Sequence, residues 1–245
     1  KERNERKERK YMDKRLKNII DKSDNIVFFG GAGVSTASGI PDFRSENGLY
    51  NMNYKYAPEE ILSHSFFFSK TKEFYQFYRK YMNALDVLPN IVHNKLVELE
   101  KEGKLKCIIT QNIDGLHDKA GSKNVLEIHG SIYRNYCIKC HKFYDASVIF
   151  SASDIPYCEC GGIIKPNVVL YEEPLNDTFE KAIDYVSNCD TLIVAGTSLN
   201  VYPAANLLRY FKGRNLVLIN KSKTSFDNYA TLVINDDLVK VFGEL

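Results

Sequence analysis

Ile26-Val27-Phe28-Phe29-Gly30-Gly31-Ala32-Gly33-Val34-Ser35-Thr36-Ala37-Ser38-Gly39-Ile40-Pro41-Asp42-Phe43-Arg44-Ser45 joins an apolar run to a glycine-rich turn and then to a polar block. The apolar run reads as a buried strand. A strand that ends in glycines and enters a helix is a phosphate cradle, because the backbone approaches the ligand closely and free N–H groups favour negative charge. A nucleotide or dinucleotide ligand is expected. The block from Ile40 to Ser45 is foreign to an ordinary dinucleotide loop, since it sets a carboxylate, a ring and a guanidinium directly after the cradle. The dehydrogenase fingerprint also fails: Thr36 stands at its third glycine, and the next apolar strand begins only at Cys107.

Outward from this stretch, strands are expected at Ile26–Phe29, Cys107–Thr110, Val125–Ile128, Thr191–Ala195, Leu216–Ile219 and Leu232–Ile234. Helical spacing is read over Tyr11–Lys22, Ile91–Lys101, Thr178–Asn188 and Ala204–Phe211. The alternation predicts an α/β fold, a Rossmann-like parallel sheet with helices on both faces. Two segments interrupt it: 47–88, rich in Tyr and Phe, and 135–165, which carries four clustered cysteines. The Rossmann-like part is accordingly expected at 13–46, 89–134 and 166–245.

Cys137-x-x-Cys140, 17 residues, then Cys158-x-Cys160 is a metal-ligand spacing. Two such pairs suit tetrahedral zinc, and four thiolates leave no open position, so the metal is expected to be structural. The second pair is one residue tighter than the commonest ribbon. His141 is an alternative ligand, read instead as solvated. Cys107 and Cys189 flank apolar runs and read as core. Thiols used this way point to a reducing compartment, and no apolar run is long enough for a transmembrane helix; a cytoplasmic protein with no membrane partner is expected.

The chain has 245 residues, 33 basic and 31 acidic, for a net charge of +2. Residues 1–10 hold six basic and three acidic side chains, so the rest is nearly neutral. That excludes the basic surface of a dedicated nucleic-acid binder. The first twelve residues read as a tag or a solvated arm.

Two further strand ends carry chemistry. Gln111, Asn112, Ile113 and Asp114 follow one strand; His129-Gly130 follows another. Ligands of an open parallel sheet bind outside the carboxyl ends of the strands, so these groups should face the glycine turn. The amides and carboxylate suit ribose hydroxyls and a carboxamide, or a simple polar turn. His129 is the general-base candidate. Gly196-Thr197-Ser198 and Asn220-Lys221-Ser222 end two more strands on the same rim.

Together these blocks resemble the sirtuin family of NAD-dependent protein-lysine deacylases, most of all its compact bacterial members. The resemblance also takes in Lys165-Pro166-Asn167-Val168-Val169 and Gly196-Thr197-Ser198-Leu199-x-Val201-x-Pro203. It implies an NAD domain, a zinc ribbon and an acyl-lysine peptide lying between them, in a monomer. NAD would be consumed to give nicotinamide, O-acyl-ADP-ribose and free lysine. His129 would act as base on a ribose hydroxyl, and Asn112 would position ribose and water. Gly31, Ala32, Gly33 and Ser35 would hold the pyrophosphate. Asp42, Ile113 and Asp114 would bind the carboxamide, Phe43 would shield the ribose, and Arg44 would lie near phosphate. Gln111, Gly196, Thr197, Ser198, Asn220, Lys221, Ser222 and Asp237 complete the cofactor set, the last near adenine. Val168, Val169, Tyr171 and Val201, with Tyr75 and Tyr78, would meet substrate. Glu172 stands where the family usually has glycine, which points to altered peptide preference towards basic flanks. Arg79 falls four residues after Tyr75, one more than in members that remove succinyl groups. With Phe77 and Tyr78 on that helix, acetyl or apolar acyl groups are expected. The competing readings are a mono-ADP-ribosyltransferase on the same scaffold and a non-catalytic NAD- and zinc-binding module.

Overall fold

A computed structural model describes residues 14–45 and 48–245. The first thirteen residues, and with them the expected arm and the start of the first helix, lie outside the described residues. The apolar runs at Ile26–Gly30 (β1), Leu105–Thr110 (β2) and Val125–Glu127 (β3), and later at Thr191–Ala195 (β7), Asn215–Ile219 (β8) and Leu232–Ile234 (β9), pair in parallel. The six strands run in the order β3-β2-β1-β7-β8-β9.

Side chains along β1 alternate between the two faces, as a pleated strand requires. Ile26 and Phe28 pack with Leu16, Ile20, Leu96 and Phe242 on one side. Val27 and Phe29 pack with Ala182, Val186, Leu207 and Leu208 on the other. The first face is covered by α1 (14–21), α5 (Ile91–Lys101) and α9 (Leu238–Gly243), and the second by α8 (Thr178–Asn188) and a 3-10 segment, Ala204–Tyr210. That segment was expected as an α-helix. Apolar residues at a spacing of three to four fit either form, so the pattern alone did not separate them. No helix among the described residues is long and apolar enough to cross a membrane.

The two interrupting segments share one core. Helices α2 (Pro58–Ile61), α3 (His64–Ser69) and α4 (Thr71–Tyr81) come from the first. The second holds an antiparallel sheet, β5-β4-β6, made of Gly130–Cys137 (β4), Phe143–Tyr144 (β5) and Ile164–Val168 (β6), with α7 (Ala146–Phe150). Phe67, Phe74, Tyr75 and Tyr78 pack with Ile132, Ile149 and Ile164. This sheet starts at Gly130 and ends at Val168, so it extends beyond 135–165 at both ends.

Candidate active site

Chain order reverses between β1 and β7, which are neighbours in the sheet but leave it in opposite directions. Such a switch point opens a crevice at the carboxyl ends of the strands. The glycine turn after β1 lies there, against the turn after β7. Gly33 N–H donates to Gly196 O at 2.8 Å, and Gly31 N–H to Ala195 O at 3.2 Å. A Cβ on Gly33 would stand 2.8 Å from Gly196 Cα, so the two backbones touch only because both residues lack side chains.

The turn does not open into an α-helix as expected. It forms two 3-10 turns, Ala32–Val34 and Thr36–Ser38. The cradle is therefore a loop, and its N–H groups are partly spent: Val34 and Ser35 donate to Gly31 O and Ala32 O.

Several expected residues meet here through hydrogen bonds. Buried Ser35 donates through Oγ to Asp114 Oδ2 at 2.6 Å. Asn112 Nδ2 donates to Gly31 O at 3.0 Å and to Ser35 Oγ at 3.2 Å. Asp114 also accepts the Leu116 N–H at 2.9 Å. Burial raises its carboxyl above the usual carboxylate range, against these two donors. Gln111 Nε2 donates to Thr197 Oγ1 at 3.0 Å, and Thr197 N–H donates to Asn220 Oδ1 at 2.8 Å. The ends of β2, β7 and β8 are thus stitched into one rim.

Half-buried His129 lies two residues after β3, in the turn that leads into β4. Its Nδ1 stands 3.0 Å from the Gln111 carbonyl. A carbonyl only accepts, so Nδ1 carries the proton and Nε2 keeps its lone pair. Burial lowers the His129 pKa, and the bond to Gln111 partly offsets it. The ring is held neutral with its basic nitrogen available. On the far side, Val169 N–H donates to His129 O at 2.8 Å, which ties the expected substrate segment to the base.

The Ile40–Ser45 block lies over this rim. Arg44 Nη1 donates to Ser198 Oγ at 3.3 Å and its guanidinium lies 5.5 Å from the Tyr50 ring centre. Phe43 meets Tyr50 edge-on at 6.3 Å, and Asp42 Oδ1 accepts the Ser45 N–H. Ile113 O accepts from Ile132 N–H, joining the crevice to the small domain. Lys221 is paired with Asp237 at 2.9 Å, and Asp237 caps α9 through Val239 N–H. Ser222 is exposed beside them. Val201 O accepts from Ala205 N–H.

Two expected substrate contacts are corrected. Tyr75 and Tyr78 have no exposed surface. The Tyr75 hydroxyl donates to Ile164 O, and Tyr78 stacks on Phe74 and Phe150. The helix face read as substrate-facing is the core of the small domain. Val168 is also buried at the end of β6, whereas Tyr171 is exposed.

Glu172, in the glycine position, adopts φ +75° and accepts from Ser65 N–H and Ser65 Oγ. Its carboxylate therefore caps the start of α3. Nearby, Glu173 bridges Lys165 at 3.2 Å and His64 at 3.0 Å, and accepts the Leu170 N–H.

The sequence reading missed Asn90. It caps α5 and donates through Nδ2 to Val34 O and Ser38 Oγ, both at 2.9 Å, so it braces the glycine turn. Its place before Ile91 signals a cap, but nothing local signals a bond to a residue 56 positions away.

The sulfurs of Cys137, Cys140, Cys158 and Cys160 lie within 4.8 Å of one another. Lys139 and Cys140 N–H point at Cys137 Sγ, at 3.4 and 3.5 Å, and Tyr144 Oη donates to Cys158 Sγ. The Tyr144 bond lowers the Cys158 thiol, whereas the neighbouring sulfurs raise that of Cys140. Donor type, number and spacing fit structural zinc. His141 is exposed at φ +60° and stands outside the cluster, while Cys107 and Cys189 are buried in the core.

A profile of the Sir2 family matches residues 31–203. The chain belongs to the Sir2 family. An NAD-dependent protein deacetylase of Clostridium tetani is 58% identical over 235 residues, covering 94% of this chain and 95% of that one. A solved Sir2 variant with deacetylated p53 peptide and 3'-O-acetyl ADP-ribose is 40% identical, with a TM-score of 0.88, covering 94% and 96% of the two chains. Sir2Tm bound to a propionylated peptide is 39% identical with a TM-score of 0.85, over 94% and 95%. The Sir2 profile spans both the glycine turn and the four-cysteine cluster, so the two insertions described above are part of the family's fold.

Proposed function

We propose that this Sir2-family chain is an NAD-dependent protein-lysine deacetylase that also accepts other apolar acyl groups. The observation that carries it is His129, neutral and with Nδ1 fixed on the Gln111 carbonyl, at the rim of the switch-point crevice. The deacetylase name of the Clostridium tetani relative supports the reading. So do the acetyl-ADP-ribose and propionyl-peptide complexes of the two solved relatives.

With NAD bound, the acyl oxygen would replace nicotinamide on the ribose carbon, a ribose hydroxyl would then attack the acyl carbon, and one water would be consumed as the bond to the lysine nitrogen breaks, giving nicotinamide, O-acyl-ADP-ribose and free lysine. His129 Nε2 takes a proton from a ribose hydroxyl. Asn112, held by Gly31 O and Ser35 Oγ, orients the ribose and water. The turn Gly31–Ser35 takes the pyrophosphate. Asp42, Ile113 and Asp114 take the carboxamide. Phe43 covers the ribose face and keeps water out. Arg44, with Ser198, lies on the phosphate side. Gly196, Thr197, Asn220, Lys221, Ser222 and Asp237 form the adenosine end.

The peptide lies along Val169 and Tyr171, facing Val201. Tyr75 and Tyr78 are withdrawn from this set. Arg79 donates through Nη1 to Asp154 O and its guanidinium lies 5.6 Å from the ring centre of buried Tyr75, whose hydroxyl is spent on Ile164 O, so this pair does not await an acyl carboxylate. We assign the enzyme to the cytoplasm as a monomer without nucleic-acid partners, in keeping with free cysteines and a near-neutral body.

The test follows an acetyl-lysine peptide with NAD, reading nicotinamide and peptide mass together, with His129→Ala as control. Equal nicotinamide release and acetyl loss, abolished in the variant, is the expected result. ADP-ribose appearing on protein with the acetyl mark intact would establish the transferase instead.

A further inference from the structure

We propose that Tyr144 is a positioning residue for the metal: its hydroxyl, donated to Cys158 Sγ, is what retains zinc in the four-cysteine cluster. The inference rests on reading those cysteines as the zinc site. The Tyr144 Oη to Cys158 Sγ distance is 3.0 Å, short for a donor on sulfur. Backbone N–H groups also serve the cluster, those of Lys139 and Cys140 on Cys137, of Lys142 on Cys140 and of Cys160 on Cys158. Among the described residues, Tyr144 is the one whose side-chain hydroxyl reaches a cluster sulfur.

The phenol is well held. Tyr144 pairs across the sheet with Asn135, whose Nδ2 donates to Tyr144 O at 3.3 Å. Lys142 Nζ lies 5.5 Å from the ring centre and pairs with Glu159 at 3.1 Å, in the stretch between Cys158 and Cys160. The Tyr144 backbone is thereby pinned and its ring has a cation over it, and Cys158 is buried with little water to take the donor's place.

The consequence follows from charge. Four thiolates on a divalent ion carry a net charge of minus two. A metal-bound thiolate keeps lone pairs, and a proton attacks the sulfur whose charge is least neutralised, which frees that ligand and opens the metal to a chelator. A hydrogen bond to that sulfur spreads the charge and lowers its basicity. Removing such an outer partner typically costs roughly 10- to 100-fold in metal affinity.

The test uses the full chain loaded with one zinc, challenged with excess 4-(2-pyridylazo)resorcinol, comparing wild type with Tyr144→Phe and Tyr157→Phe. Tyr157 is an exposed tyrosine of the same module, without a sulfur contact. Zinc transfer is expected roughly 10-fold faster for Tyr144→Phe and unchanged for Tyr157→Phe. The cobalt(II)-substituted forms give a second readout. Loss of the hydrogen bond raises the energy of the sulfur lone pairs, so the sulfur-to-cobalt charge-transfer band of Tyr144→Phe should move to lower energy. Equal release rates with an unmoved band would overturn the proposal. A wild-type chain that holds no zinc would overturn the zinc reading itself.

Discussion

His129 Nδ1 stands 3.0 Å from the Gln111 carbonyl, and that one contact decides which nitrogen of the ring is basic. It also links the end of β3 to the end of β2 across the rim. Because burial lowers the ring's pKa, the neutral form persists below the ordinary histidine range. The acid limb of kcat/KM should therefore fall below about pH 6.5, and His129→Ala should cost at least about 100-fold in turnover. A limb centred above pH 6.5 would contradict the assignment.

His93 and His117 lie buried against each other, ring centres 4.8 Å apart. Burial pushes His93 down to about 4 and, with the neighbouring His93, pushes His117 to about 3. Both folded values lie below the unfolded one, so their contribution is complete above about pH 6.5 and is lost as pH falls towards 4. Each ring makes stability fall by up to about 1.4 kcal/mol per pH unit in that window. His117→Phe should flatten the Tm profile between pH 6.5 and 4 relative to wild type. An unchanged slope would locate the acid sensitivity elsewhere.

Gly130 has φ +80°, and a Cβ there would lie 1.9 Å from Asn167 O. That neighbour is backbone of a paired strand and has no room to turn aside. Gly130→Ala should lose more than about 2 kcal/mol, from left-handed strain and the collision together. Urea unfolding measures it, and activity should fall as well, since the base is the adjoining residue.

Lys165 and Glu173 form a pair at 3.2 Å with less than a fifth of either side chain exposed. Burial lowers Lys165, and the Leu170 N–H, His64 and Lys165 together hold Glu173 down despite its burial. Glu173→Gln leaves the lysine charge only the Pro166 and Val168 carbonyls, both at 3.4 Å, and should cost about 3 kcal/mol. Lys165→Met leaves Glu173 with the Leu170 N–H and His64, so it should cost less. The reverse order in urea midpoints would show that the lysine is not the dependent partner.

Tyr75→Phe separates core from substrate roles. The loss of its bond to Ile164 O should destabilise the chain by about 1 kcal/mol, while the ratio of acetyl- to succinyl-lysine turnover stays the same. A shift of that ratio towards succinyl would return Tyr75 to the acyl site.

Much of this was legible before any coordinates. Thr191–Ala195, Leu232–Ile234, Ile91–Lys101 and Thr178–Asn188 have the expected bounds, because each is an apolar or periodic run closed by a sharp polar boundary. The cysteine spacing announced a tetrahedral set that the sulfurs form. Other features were hidden for identifiable reasons. Apolar periodicity on α4 says that Tyr75 and Tyr78 face something, but not whether it is ligand or core. Segments 47–88 and 135–165 look unrelated because their contact, Tyr78 on Phe150, spans 72 residues. The 3-10 character of the glycine turn is set by its packing on Gly196, which lies far along the chain.

Strand β4 begins at the residue after His129 and ends on Cys137. Successive side chains on a strand face opposite ways. Its pairing with β6 slips between Gly130 and Asn135 and is regular from Asn135 to Cys137, so removing one residue from that regular part would turn Cys137 away from its three partners. The register over Asn135–Cys137 is thus the fixed dimension of this strand. Variation in size among related chains should be absent here and should collect instead in the exposed stretch between α7 and Tyr157, where no register connects the two centres.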